Sequence, residues 1–201
     1  MRDQYSFAQA HLLTAKTLNA STALVLSIFA MSVVIVASNI LVRVPINDWL
    51  TWGTLTFPFA FVITDLMNRY FGVNKARQLV YAGFAIGIAA SLLIAYLLGE
   101  PADIRVALAS GTAFLISQLM DVSVFDKLRS KQWWIAPFTS SVISTVFDTF
   151  LFYALAFVGT GLVWQQWAVG DLGVKWLVAL VALVPYGILT GRARASDVIS
   201  P

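Results

Sequence analysis

Six stretches of about twenty apolar residues, joined by short polar connections, constrain this chain more than any motif does. They fall within a few residues of 22–42, 53–71, 79–98, 104–124, 136–158 and 172–190. A helix needs about 20 such residues to cross a hydrocarbon core about 30 Å thick. Only helices and closed barrels satisfy their backbone groups there. The expected fold is therefore all-α, a polytopic membrane protein of six transmembrane helices forming one transmembrane domain over residues 1–201. Composition agrees, since 59% of residues are hydrophobic and 11% charged, against roughly 25% charged in soluble domains. The first stretch reads as a span, because it is too long for a signal peptide core and continues into Ser38-Asn39 without a cleavage site.

The placement of lysine and arginine gives the spans a direction. Arg2, Lys16, Arg69, Lys75, Arg77, Lys127, Arg129, Lys131, Arg192 and Arg194 fall on one side, and Arg43, Arg105 and Lys175 on the other. Ten against three puts both termini in the cytoplasm and the chain in the cell inner membrane. The same asymmetry accounts for the net charge of +3 without a nucleic-acid partner. The single histidine, His11, reads as a solvated tail residue. There is no cysteine, which excludes disulfides, thiolate metal sites and thiol catalysis. All seven tryptophans, Trp176 among them, are expected near span ends, at the headgroup level their rings prefer.

Local signals refine the spans. Gly83, Gly87 and Ser91 form a small-residue stripe in the third, which favours close helix packing. Pro58 and Pro185 are expected to kink or interrupt the second and sixth, and interrupted helices often line solute sites. Ala60-Phe-Val-Ile-Thr-Asp-Leu-Met-Asn68 is similar to Ala113-Phe-Leu-Ile-Ser-Gln-Leu-Met-Asp121 at an offset of 53. It reads either as a parallel repeat or as a chance likeness between apolar helices.

An ionisable side chain within a span costs at least about 2.5 kcal/mol and marks function by default. Asp148 lies near the middle of the fifth span, on a helical face shared with Ser141, Ser144 and Thr145. Asp65 and Arg69 are spaced i, i+4 in the second span, either as a local ion pair with a snorkelling arginine or as solute contacts. Gln118 and Asp121 share a face of the fourth span, and Asn39 sits near the outer end of the first. Asp171 and Lys175, at the expected outer start of the sixth, form either an exposed ion pair of little worth or a gate. These four carboxylates, two amides and two cations suit one polar organic solute better than an ion channel, which uses rings of like groups. The sequence has no Gly-x-x-x-x-Gly-Lys phosphate loop, HExxH or GxSxG. No enzyme activity, cofactor or metal is expected.

The same polar positions carry a resemblance. Thr51-Trp-Gly-x-x-x-Phe57-Pro58-Phe59 is followed by Thr64-Asp65-x-x-x-Arg69-x-Phe71-Gly72-x-x-x-Ala76-Arg77. Ser38-Asn39, Gln118-x-x-Asp121-x-x-Val124-Phe125-x-x-Leu128-Arg129, Trp133-Trp134-x-Ala136-Pro137, Asp148-Thr149 and Asp171-x-x-x-Lys175 extend it over about 37–190. In order and spacing this resembles the queuosine precursor transporter family, also called the vitamin uptake transporter family. Ser117 departs from it, standing where the family is expected to have glycine. The resemblance implies a six-helix importer of deazaguanine bases, in cyano and aminomethyl forms, without a cofactor. A carboxylate, Asp148 or Asp65, would accept the paired donors of a guanine-like edge. Asn39 and Gln118 would read the remaining polar atoms, and Phe57, Phe59 or Tyr153 would stack on the ring. The main expectation is a stand-alone carrier driven by a proton gradient through a buried aspartate. The alternative is the capture subunit of an energy-coupling-factor transporter, with a separate ATP-driven partner.

Overall fold

The structure is a computed structural model that describes residues 19–47, 50–98 and 101–191. His11, Trp49 and the basic residues Arg2, Lys16, Arg192 and Arg194 lie outside the described residues. Within them the regular elements are helices: α1 (Ala20–Leu41), α2 (Trp52–Thr56), α3 (Phe59–Phe71), α4 (Val73–Leu98), α5 (Pro101–Leu128), α6 (Ile135–Phe157) and α7 (Trp164–Thr190). Five of these, all except α2 and α3, contain a stretch long and apolar enough to cross a membrane. The short α2 and α3 together occupy the second predicted span, giving six membrane segments in a multi-pass protein.

The interruption falls at Phe57-Pro58 for a local reason. Proline has no N–H to continue a helical ladder, and the chain switches to tighter bonds from Ala60 N–H to the Phe57 carbonyl (3.0 Å) and Phe61 N–H to the Pro58 carbonyl (3.1 Å). Pro185, by contrast, lies inside an unbroken α7. That helix begins eight residues before the predicted start at 172, since the polar turn Trp164-Gln-Gln-Trp167 lowers local hydropathy yet remains helical. The early start corrects the reading of Trp176, which stands near the middle of α7 and donates its indole N–H to the Val142 carbonyl at 3.3 Å. At the other end of α3, Gly72 takes φ 83°, where a side chain is disfavoured. Its N–H closes α3 on the Asn68 carbonyl, and its own carbonyl receives the Ala76 N–H of α4.

α3 is the central element and packs against α1, α4, α5, α6 and α7. That position explains why a helix of 13 residues buries Thr64, Asp65, Asn68 and Arg69 together. The two similar segments lie side by side in parallel: Thr64 donates to Gln118 Oε1 at 2.7 Å and Asn68 Nδ2 to the Val122 carbonyl at 3.0 Å. On the opposite flank the small-residue stripe meets α1. A Cβ on Gly83 or Gly87 would come within 2.9 Å of the Met31 or Ile35 side chain. One turn further along, Asn39 Nδ2 donates to Ser91 Oγ at 2.6 Å.

Two arginines close helix ends. Arg105, at the start of α5, donates to the Leu155 and Val158 carbonyls at the end of α6, at 2.8 and 2.6 Å. Arg129, just past the end of α5, donates to the Asn68 and Arg69 carbonyls in the last turn of α3. Both supply a cation where the helix dipole favours one. Partial burial holds the Arg129 guanidinium below its ordinary pKa, and Asp126 opposes this from 3.1 Å. Arg105→Ala is expected to lower stability by about 1 kcal/mol. Arg105→Lys should recover only part, because an ammonium cannot fork between two carbonyls; thermal unfolding in detergent measures both.

Candidate functional site

A cavity of about 430 Å³ opens beside the 42–51 connection and runs inward between α1, α2, α4, α5, α6 and α7. Its floor is a buried ionic triad. Lys175 Nζ of α7 lies 2.8 Å from Asp171 Oδ2, one turn earlier, and 3.1 Å from Asp148 Oδ2 of α6. The ammonium also donates to Thr149 Oγ1 at 3.1 Å and stands 5.7 Å from the Phe57 ring centre. Ser117 of α5 donates to the other oxygen of Asp148 at 3.3 Å. Asp148, Asp171 and Lys175 are each at most 5% exposed. Asp171 and Lys175 are therefore no surface pair. The early start of α7 carries them a turn and more into the bundle.

Charge and shape define what this cavity can hold. With all three groups ionised, the triad itself carries a net charge of minus one, while Arg43 in the same lining brings the formal total of the cavity to zero. The lysine's three donors are taken up by Asp148, Asp171 and Thr149, so the site is rich in acceptors. Phe57, Phe152, Tyr153, Phe157 and Trp167 contribute aromatic walls, and Asn39, Ser91 and Ser110 contribute polar ones. A planar, donor-rich molecule matches such a lining. Among the described residues no group of His, Cys, Asp and Glu is placed to hold a metal ion.

The sequence candidates divide into three places. Asn39, Phe57, Asp148 and Lys175 line the cavity, joined by Asp171 and Tyr153. Asp65, Arg69, Gln118 and Asp121 are buried outside the cavity lining, around the α3–α5 contact toward the opposite end of the bundle. Phe59, the first residue of α3, is 46% exposed and lies on the outer surface. The turn at Phe57-Pro58 sends these two phenylalanines in different directions. Arg69 does not snorkel. It is fully buried, with Nη1 donating to the Tyr186 hydroxyl at 3.3 Å and the guanidinium 5.6 Å from that ring. Phe152, Phe157 and Trp167 were not legible as site residues, because an aromatic side chain near a span end reads equally well as a membrane-interface anchor.

Comparison with known proteins agrees with this architecture. Residues 51–189 match the family described as "Putative vitamin uptake transporter". The chain is 35% identical over 187 residues to the "Queuosine precursor transporter" of Escherichia coli (strain K12), covering 82% of this chain and 84% of the relative. It is 34% identical to the "Probable queuosine precursor transporter" of Haemophilus influenzae (78% of this chain, 81% of the relative). It is 33% identical to the one from Bacillus subtilis (73% and 74%). No solved structure matches the chain. With the family match covering well over half its length, the chain belongs to the vitamin uptake transporter family.

Proposed function

We propose that this protein imports queuosine precursors, 7-deazaguanine bases in their cyano and aminomethyl forms, across the cell inner membrane into the cytoplasm. The observation that carries the reading is the cavity floored by Asp148, Lys175 and Asp171. A guanine-like edge offers two adjacent N–H donors, and a carboxylate accepts such a pair with both oxygens. Asp148 and Asp171 reach the cavity, while Phe57 and Tyr153 offer ring faces to a flat base. The volume of about 430 Å³ lies in the range of small-molecule sites. The names of the relatives support the cargo.

Direction follows from charge. Arg69 and Lys175 are buried in the bundle, and setting them aside leaves nine basic residues against two. The cavity mouth then faces outward and both termini face the cytoplasm. No enzyme chemistry is assigned, and a single chain acting as a carrier is the reading adopted. The decisive experiment uses cells that can neither make nor import the precursors. Expressing this chain is expected to restore queuosine in their tRNA when either base is supplied, and absence of queuosine would overturn the cargo.

The net negative triad on the cavity floor adds a graded expectation. The aminomethyl base is an ammonium at neutral pH and restores electrical balance, whereas the cyano base is neutral. The aminomethyl form should bind about tenfold more tightly, a difference of about 1.4 kcal/mol. Asp148→Asn leaves Lys175 paired with Asp171 and removes the excess charge, so the preference should disappear. Calorimetry on purified protein with both bases measures this.

A further inference from the structure

Outside the cavity lining lies a second polar cluster that the solute site does not use. Asp65 of α3 and Asp121 of α5 bring their carboxyl groups against each other and beside the Ser140 hydroxyl of α6. They are 2% and 0% exposed. Asp121 and Asp65 Oδ1 find no hydrogen-bond donor beyond that hydroxyl, which is also placed toward the Pro137 carbonyl at 3.2 Å. Two carboxylates in contact and out of water repel strongly, and such pairs ordinarily hold a proton between them.

Three further features point to a ligand at this pair. Gln118 Nε2 and Ser144 Oγ are fully buried and without partners. Gln118 lies one turn before Asp121, its Oε1 held by Thr64 beside Asp65. Ser144 lies one turn beyond Ser140 and one turn before Asp148. Each step along this face is about 5.4 Å, and Ser117, next to Gln118, already touches Asp148. Finally, a cavity of about 10 Å³ lies beside Asp65, Ser141, Thr145 and Tyr186, room for about one water.

We propose that the Asp65–Asp121 pair is a proton-binding site, loaded from the solute cavity past Ser144 and Gln118, and that its proton travels inward with the solute. The proton leaves a cavity water, attaches to one carboxylate oxygen, is shared with the other carboxylate, and departs to water on the inner side. Asp148 is less suited, because Lys175 is bonded to it. The charged and titratable groups facing the pair are few. Arg69 lies one turn along α3 and attracts Asp65; Tyr186 of α7 accepts from Arg69; Arg129 crosses the end of α3. α6 offers Asp148, two turns beyond Ser140. α1 has no charged residue over 20–41, and on α4 Arg77 is exposed while Lys75 donates to Gln78.

The inference rests on the import reading, so the test separates the two. Wild-type, Asp121→Asn and Asp65→Asn proteins are reconstituted in vesicles and given the labelled aminomethyl base. For one proton per solute, each unit of pH difference sustains about tenfold accumulation in wild type. Both variants should exchange labelled for unlabelled base at the wild-type rate yet accumulate none. Accumulation at the wild-type level in both variants overturns the proposal, as does loss of exchange together with accumulation, which would put the pair in the solute path. Infrared difference spectra between acid and alkaline buffer, recorded without solute, should show a protonated-carboxyl band in wild type that either substitution removes or shifts. An unchanged band in both variants also overturns the proposal, whereas failure of wild type to bind the base counts against the import reading alone.

Discussion

Lys175→Met is expected to be the most damaging single substitution in this protein. It leaves two carboxylates, Asp148 and Asp171, each 4% exposed, facing one another without the ammonium that bridges them. Removing one partner of a buried ionic group costs about 3–5 kcal/mol, a large share of the margin of an ordinary fold. The variant should unfold at a markedly lower temperature in detergent and bind no base. Replacing the whole group, with Asp148→Asn and Asp171→Asn added to Lys175→Met, should restore much of the thermal stability, since neutral side chains of similar size escape the desolvation cost. Binding should stay absent in the triple variant. If the single and triple variants unfold together, the triad is not held as described.

The second large effect is expected at Gly53. An added Cβ would stand 2.8 Å from the Val42 nitrogen and 2.9 Å from the Ser38 carbonyl oxygen. Both are backbone atoms at the end of α1, so neither can move aside as a flexible side chain would. Gly53→Ala must therefore separate α2 from α1, at a cost of about 1–3 kcal/mol. The displacement falls on the cavity wall, where Ser38, Gly53 and Phe57 all contribute. Base affinity should drop along with thermal stability. By contrast, Gly173→Ala, a position with open space around it, should change neither.

Hydropathy reveals the six membrane segments because lipid imposes a length on each. It misses helical ends that leave the apolar stretch. That limit is why Asp171 and Lys175 read at the outer start of the sixth span, as an exposed pair or a gate, until the Trp164-Gln-Gln-Trp167 turn is seen to belong to α7. Pro58 announces the break between α2 and α3 through its missing N–H, while Pro185 shows that the same chemistry can be absorbed inside a packed helix. Asp148 was legible as buried from its position in a span and its hydroxyl-rich face. Its partnership with Lys175, 27 residues away, depends on how α6 meets α7 and leaves no local signature. The likeness of 60–68 to 113–121 carries no information on contact between the two segments, and periodicity alone cannot tell that Asp65 would turn to Asp121 and away from the cavity.

The two capping arginines have a mechanical consequence. Arg105 grips the end of α6 from the head of α5, and Arg129 grips the end of α3 from just past its tail. α5 is thus pinned at opposite ends to two different neighbours. Sliding it along either would break charge-assisted bonds to backbone carbonyls, so α3, α5 and α6 are expected to move as one body. The one-residue link at Gly72 keeps the start of α4 close to that body. The buried bond from Lys175 to Asp148 ties α7 to the same body.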